Sequence, residues 1–358
     1  MAYTPEQLLD LLRPLAHPWL GDGPLSLARL GGDASSRVYH RLRGGAASLI
    51  VMELGPDPLR CEEFVEGEAP TVLPFFEIHG YLAAGGVPVP ALHGYLPEAG
   101  LLLLEDLGDQ TFESVVLPLS GRARQPHYEA AIGTLCELQR YTRRSPGTCI
   151  AFRRQLSPAV LRTELDHFRE WLLEVERGVH LPSGPRRELD HHFAALAQAL
   201  AELPQVFVHR DYQSRNLMVP LSDRALPLRV LDFQDALLGP CPYDLVALLR
   251  DSYVDLGVAL VEELLRYYLA QGEPALPAAD FERAFWLQTV QRKLKDAGRF
   301  VYLHRAKGNA GFLPHIPRSL KYVAEAFDHL PELVPLRALL SPHLPELAEP
   351  AARAKCFT

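Results

Sequence analysis

The chain has 358 residues, 48% hydrophobic and 22% charged, a composition that excludes disordered and fibrous classes and leaves room for two lobes with real cores. With 36 Lys and Arg against 44 Asp and Glu the formal charge is −8, so nothing global draws the protein to nucleic acid or to an anionic membrane. Five scattered cysteines without a C-x-x-C pair read as a reduced cytosolic protein, and no stretch approaches the ~18 apolar residues of a membrane span or the pattern of a signal peptide.

Read in chain order, "MAYTPEQLLDLLRPLAHPWLG" predicts a helix with Thr4 as cap, Pro5 at its first position and Gln7 closing a capping box. "LSLARLGGDASSRVYHRLRGGAASLIVMEL" alternates short apolar and polar segments with glycine turns at 31–32 and 44–45, which predicts a three-strand meander. "FFEIHGYLAAGG" is a short helix stopped by glycines, "VPVPALHGYL" a proline-bounded strand entry, and "GLLLLEDLGD" an apolar strand ending abruptly in a hinge-like turn. From about residue 127 the patterns are long and helical, with Ser157 before Pro158 marking one helix start. Inside that helical half, two β-type runs, "VFVH" and "LRVLDF", flank a polar loop, "HRDYQSRN". The fold class is therefore α+β: a small β-rich lobe over residues 1–104, a hinge at 105–110 and a larger, mainly helical lobe over 111–358.

Phosphoryl transfer needs an acceptor hydroxyl beside a carboxylate, hard oxygen ligands for magnesium and a cover over the phosphates. Asp211 on the polar loop supplies the carboxylate, Asn216 five residues on offers an amide oxygen, and Asp232 arrives from the end of the next strand as a charged ligand. "HRDYQSRN" followed by "LDFQDA" resembles the catalytic loop and metal motif of the aminoglycoside phosphotransferase and choline kinase superfamily, relatives of protein kinases. The wider run "LDFQDALLGPCPYDLVALLRD", with "LLLLEDLGD", "GVPVPAL" and "QRKLKDAGRF", resembles bacterial kinases that phosphorylate N-acetylmuramate and N-acetylglucosamine at the anomeric hydroxyl in cell-wall recycling.

The resemblance implies a two-lobed protein-kinase-like fold using ATP and Mg2+, with Asp211 catalytic and Asn216 and Asp232 on the metal. It also implies that Gly32, Ser35 and Ser36 of "GGDASSRVYHRL" meet the nucleotide phosphates; the other reading of the same stretch is a bare hairpin turn. The Glu105 carbonyl and the Leu107 N–H fall where the family hinge bonds adenine. Kinases carry a lysine on the third strand paired with a helix glutamate, yet "ASLIVMEL" has none. Glu77 fits the glutamate by position, or is simply exposed, and the missing cation is sought at Arg41 or Arg43.

Twelve residues separate Asp232 from Asp244, against about twenty or more in the activation segment of protein kinases, so a small-molecule acceptor is expected. Asp244 reads as a helix cap and loop brace, His209 as structural, and Asp235 either as a support or as an acid facing the acceptor. Arg210 and Arg215 are either loop-bracing ion pairs or contacts to phosphate or substrate, and Tyr212 beside them is a candidate substrate contact. Arg292, Lys295 and Arg299 share one helical face, which is either solvated or reads an anionic substrate group such as a lactyl carboxylate. His191 and His192 lack a third ligand and read as helix surface. The expected activity is an amino-sugar kinase acting on a small molecule. The alternatives are a kinase of an aminoglycoside, choline or homoserine, and a non-catalytic pseudokinase module. Nothing in the sequence fixes an oligomeric state.

Overall fold

The structure is a computed structural model and describes residues 3–31, 37–59, 65–219 and 228–348. Helix α1 (Pro5–Leu20) starts as its residues dictate, Thr4 Oγ accepting from the Gln7 N–H while the Gln7 side chain accepts from the Thr4 N–H. Strands β1 (Leu25–Arg29), β2 (Val38–Gly44) and β3 (Ala47–Glu53) form the expected antiparallel meander. After β4 (Glu66–Gly67) and α2 (Pro74–Ala84), strands β5 (Leu92–Leu96) and β6 (Leu101–Glu105) complete a five-stranded antiparallel sheet of order β1-β2-β3-β6-β5.

The alternation of strand side chains divides "LLLL" of β6 between two covers. Leu101 and Leu103 pack with Leu8, Leu12 and Ala16 of α1, while Leu102 and Leu104 pack with Phe75, Ile78 and Leu82 of α2. A continuous apolar strand is thus the signature of a sheet covered on both faces.

The rest of the chain is helical around one large core. It comprises α3 (Phe112–Val116), α4 (Gln125–Arg144), α5 (Pro158–Phe168) continuing as a π-helical stretch over Arg169–Glu176, α6 (Ser183–Ala201), α7 (Tyr243–Leu249), α8 (Val258–Gln271), α9 (Ala278–Lys307), α10 (Ile316–Phe327) and α11 (Val334–Leu340). Ser157 caps α5 through the Val160 N–H. Short strands β7 (Arg154–Gln155), β8 (Gln205–Val208) and β11 (Leu237–Pro240) join β4 in a second sheet, and β9 (Leu217–Met218) pairs with β10 (Arg229–Val230). The run "LRVLDF" therefore contributes only two strand residues before the chain turns at Asp232.

Helix α9 is the axis of this half. It spans 30 residues and is buried on nearly every side, even at Gln288, Gln291, Arg292, Lys293 and Lys295. Its Gly298 lies against the end of α5, where a Cβ would sit 2.5 Å from Phe168 Cα. Cys136, Cys149 and Cys241 are buried free thiols, and among the described residues no helix is long and apolar enough to cross a membrane.

Candidate active site

The polar loop between β8 and β9 is held by carboxylates buried beneath it. Asp244, at the start of α7, accepts from the His209 N–H at 2.7 Å and the Arg210 N–H at 3.1 Å, and Asp251 accepts from the Ser214 N–H at 2.9 Å. Burial pushes both carboxyls up, opposed at Asp244 by the nearby His209 and Arg292.

His209 is fully buried and both ring nitrogens are engaged. Nε2 donates to the Leu231 carbonyl at 2.8 Å, and Nδ1 accepts from the Asp211 N–H at 3.2 Å. That pairing requires the neutral ring, and burial lowers its pKa accordingly. Arg210 and Asp232, with φ of 74° and 61°, are the non-glycine residues in the left-handed region among the described residues, and each costs about 1–2 kcal/mol of backbone strain. The braces around them offset that strain.

Asp211 is aimed by α9. Arg292 donates through Nη1 to the Arg210 carbonyl at 2.7 Å and through Nη2 to Asp211 Oδ1 at 3.3 Å, with its guanidinium 4.9 Å from the Tyr243 ring centre. Asn216 donates its amide to the Asp211 carbonyl at 3.0 Å, which leaves the amide oxygen as its free donor to a cation. Asp232 Oδ1 accepts from Gln234 at 2.7 Å and lies 3.8 Å from Arg37 Nη1. Removal from bulk water and the charge of Asp211 push the Asp232 carboxyl up to about 6.

These groups open onto a cleft of 630 Å³ between the N-terminal sheet and the helical half. Glu105, Asp106, Leu107 and Gly108 line one end, with Ile50 and Met52 of β3 above and Met218 and Leu231 below. Glu105 takes the Ala91 N–H at 2.9 Å and pairs with Arg229. The other end is lined by Arg215, Asp235, Tyr253, Lys295, Asp296, Arg299, Phe300 and Phe312. Burial opposes the charge on Asp296, but Lys293, Arg292 and Lys295 outweigh it and hold that carboxyl low.

Several expectations change here. Tyr212 does not reach the cleft: it is fully buried and its hydroxyl donates to the Ala131 carbonyl at 2.8 Å, so it packs beneath the loop instead of touching substrate. Glu77 is turned towards the helical half, accepting from the Ile150 N–H at 2.8 Å and pairing with Arg153 at 3.2 Å, so it is a brace and not a nucleotide contact. Arg43 is exposed, and Arg41 is drawn to the turn after β6 by Asp106, Asp109 and the Gly108 carbonyl. Burial works against the Asp106 charge, but hydrogen bonds from Ser48, Arg41 and Gly108 prevail and keep its carboxyl below the usual range.

Arg210 is a loop brace paired with buried Glu164, whereas Arg215 both pairs with Glu113 at 3.0 Å and faces the cleft over Tyr253. The basic face of α9 is not on the outer surface: Arg292 and Lys295 are buried, Arg299 is half-buried, and all three line the cleft. Gly32, Ser35 and Ser36 lie outside the described residues. Sequence reasoning missed Asp251, Asp296 and Arg37, although all three sit inside or beside the quoted motifs.

The donor set suits a hard divalent cation. Asp232 and Asn216 present oxygen, with Asp211 and Asp235 on the same cleft, and the one imidazole of the loop is fully engaged. Among the described residues no three His, Cys, Asp or Glu groups converge as a closed metal cage, so a cation here would draw its other ligands from water and phosphate.

Residues 26–285 match the family model described as "Phosphotransferase enzyme family". The chain is 36% identical over 340 residues to the N-acetylmuramate/N-acetylglucosamine kinase of Pseudomonas aeruginosa, covering 94% of this chain and 93% of that protein. Among solved structures it resembles choline kinase LicA from Streptococcus pneumoniae at TM-score 0.59 and 15% identity, covering 89% of this chain and 99% of that one. A structure of LicA in complex with AMP matches at TM-score 0.58 and 14% identity, covering 91% and 100%.

Proposed function

Because the chain belongs to the phosphotransferase enzyme family, we propose that it transfers the γ-phosphoryl group of ATP to the anomeric hydroxyl of N-acetylmuramate or N-acetylglucosamine, giving the sugar 1-phosphate. The observation that carries this reading is Asp211, a carboxylate aimed by Arg292 into a cleft that Asn216 and Asp232 also line. Residues 105–110 form the hinge, where the Glu105 carbonyl and the Leu107 N–H face the purine edge.

Asp211 orients the acceptor hydroxyl and takes its proton. An anomeric hydroxyl is more acidic than an ordinary alcohol, and the loose transition state of phosphoryl transfer calls for the proton late, so positioning carries most of the catalysis. Asn216 and Asp232 would hold Mg2+, whose chemistry is to neutralise charge on the phosphate oxygens. Lys295 and Arg299, on the α9 face at the acceptor end, favour an anionic or neutral sugar over the polycationic acceptors of the aminoglycoside type.

The test is product analysis. With ATP and Mg2+, a phosphorus NMR signal coupled to the anomeric proton of either sugar is the expected result. Phosphate on the 6-hydroxyl overturns the anomeric assignment, and turnover of choline or kanamycin but neither sugar overturns the acceptor class.

A further inference from the structure

We propose that Arg37 takes the place of the missing β3 lysine, meeting the nucleotide phosphates from the N-terminal sheet. The inference rests on the nucleotide-dependent reading above. Charge on the transferring group is stabilised by metal ions together with fixed Lys or Arg side chains, one of which kinases usually bring from the N-terminal sheet. The cleft-facing residues of β3 are Ile50 and Met52, which carry none.

The neighbouring strand supplies what β3 lacks. Tyr39 pairs with Met52 and Arg41 with Ile50, alternation turns both to the same side, and Arg37 stands immediately before the first β2 residue, Val38. Arg37, Tyr39 and Arg41 all line the cleft. The two arginines take different partners. Arg41 lies at the hinge end, its guanidinium shared among Asp106, Asp109 and the Gly108 carbonyl. Arg37 lies beside Asp232 instead, 12% exposed and 3.8 Å from its Oδ1.

The remaining described cations of the cleft, Arg215, Arg292, Lys295 and Arg299, rise from the helical half. If Asp232 holds the metal of the nucleotide, the phosphates lie beside it, and the cation reaching down to it from the sheet side is Arg37. The backbone beneath it is fixed, because Val38 pairs with Glu53 and the Glu53 carboxylate is bound to the His40 ring. A guanidinium also reaches further than an ammonium and bonds phosphate as a planar fork, which suits a start one strand further away.

Calorimetric titration of the wild type, Arg37→Ala and Arg37→Lys with ATP, ADP and adenosine, each in Mg2+, tests the assignment. Arg37→Ala should lose about tenfold to a hundredfold in affinity for ATP and ADP, Arg37→Lys should recover part of it, and adenosine should bind all three alike. Unchanged ATP affinity in Arg37→Ala overturns the proposal, as does an equal loss for ATP and adenosine, which marks a folding role. A wild type that binds ATP in an Arg37-dependent manner yet phosphorylates neither sugar defeats the acceptor reading alone. A wild type that binds no ATP defeats both.

Discussion

The floor and the roof of the cleft are built on opposite plans. The floor is one short segment, residues 209–216, whose amides are tied to buried Asp244 and Asp251 and whose aspartate is aimed by Arg292 from a helix far along the chain. The roof is the open face of β2 and β3, where each cleft residue is two positions from the next and takes its own partner. A floor of this kind tolerates little, because each carboxylate serves more than one donor. A roof of this kind lets a required charge move between strands while the sheet stays the same.

The sharpest way to break this contrast is at the reacting carboxylate. Asp211→Asn should lower turnover by roughly 10² to 10⁴ while leaving calorimetric ATP affinity close to wild type. A comparable loss of ATP binding would mean that floor and roof are not separable.

Next in size is the support of α9. Gly298→Ala drives a methyl into the Phe168 backbone at 2.5 Å, and it should destabilise the protein by roughly 1–3 kcal/mol in urea denaturation, with turnover falling for both sugars because Arg292 rides on the same helix. Wild-type stability in that variant would show that α5 and α9 can separate freely.

A smaller effect is expected at the acceptor end. Arg299→Gln should raise the Michaelis constant for N-acetylmuramate about tenfold, the scale of a lost charged hydrogen bond, and spare N-acetylglucosamine. Equal losses for the two sugars would remove Arg299 from carboxylate recognition.

The smallest lies where floor meets roof. Asp232 has its pKa raised to about 6 from 3.8, so the native state binds the extra proton between those values and stability is lost as pH rises through that window. In chelator-treated protein at pH 8, Asp232→Asn should therefore be more stable than wild type by on the order of 1 kcal/mol, a modest figure because the side chain keeps 39% exposure. The advantage should vanish below pH 4. Denaturation curves at the two pH values decide it, and a less stable variant at pH 8 would reverse the assignment of strain to that carboxylate.

The difference in plan also explains what was legible. The capping box of α1, the meander, the apolar β6 and the H-x-D-x(4)-N loop are local patterns, and local patterns survive reading in one dimension. So did the absence of a β3 lysine. Its replacement was harder to see, since Arg37 meets the cleft only through its approach to Asp232, almost two hundred residues away. Tyr212 and Glu77 were misassigned because adjacency to a motif says nothing about which way a side chain turns. Helix α9 leaves its two readings open for a different reason: "QRKLKD" has the composition of an exposed helix, and its burial follows from partners such as Asp211 and Ser252 that are distant in sequence.

His209 carries a consequence for which relatives can exist. Its side chain must give a hydrogen to the Leu231 carbonyl and take one from the Asp211 amide at the same moment. Lysine and arginine have nothing to accept with, and an ionised carboxylate has nothing to give. Asparagine and glutamine carry both functions. Drift at this position is thus confined to a very small alphabet, and a homologue with Lys or Glu here should have rebuilt the turn before its aspartate or abandoned the chemistry altogether.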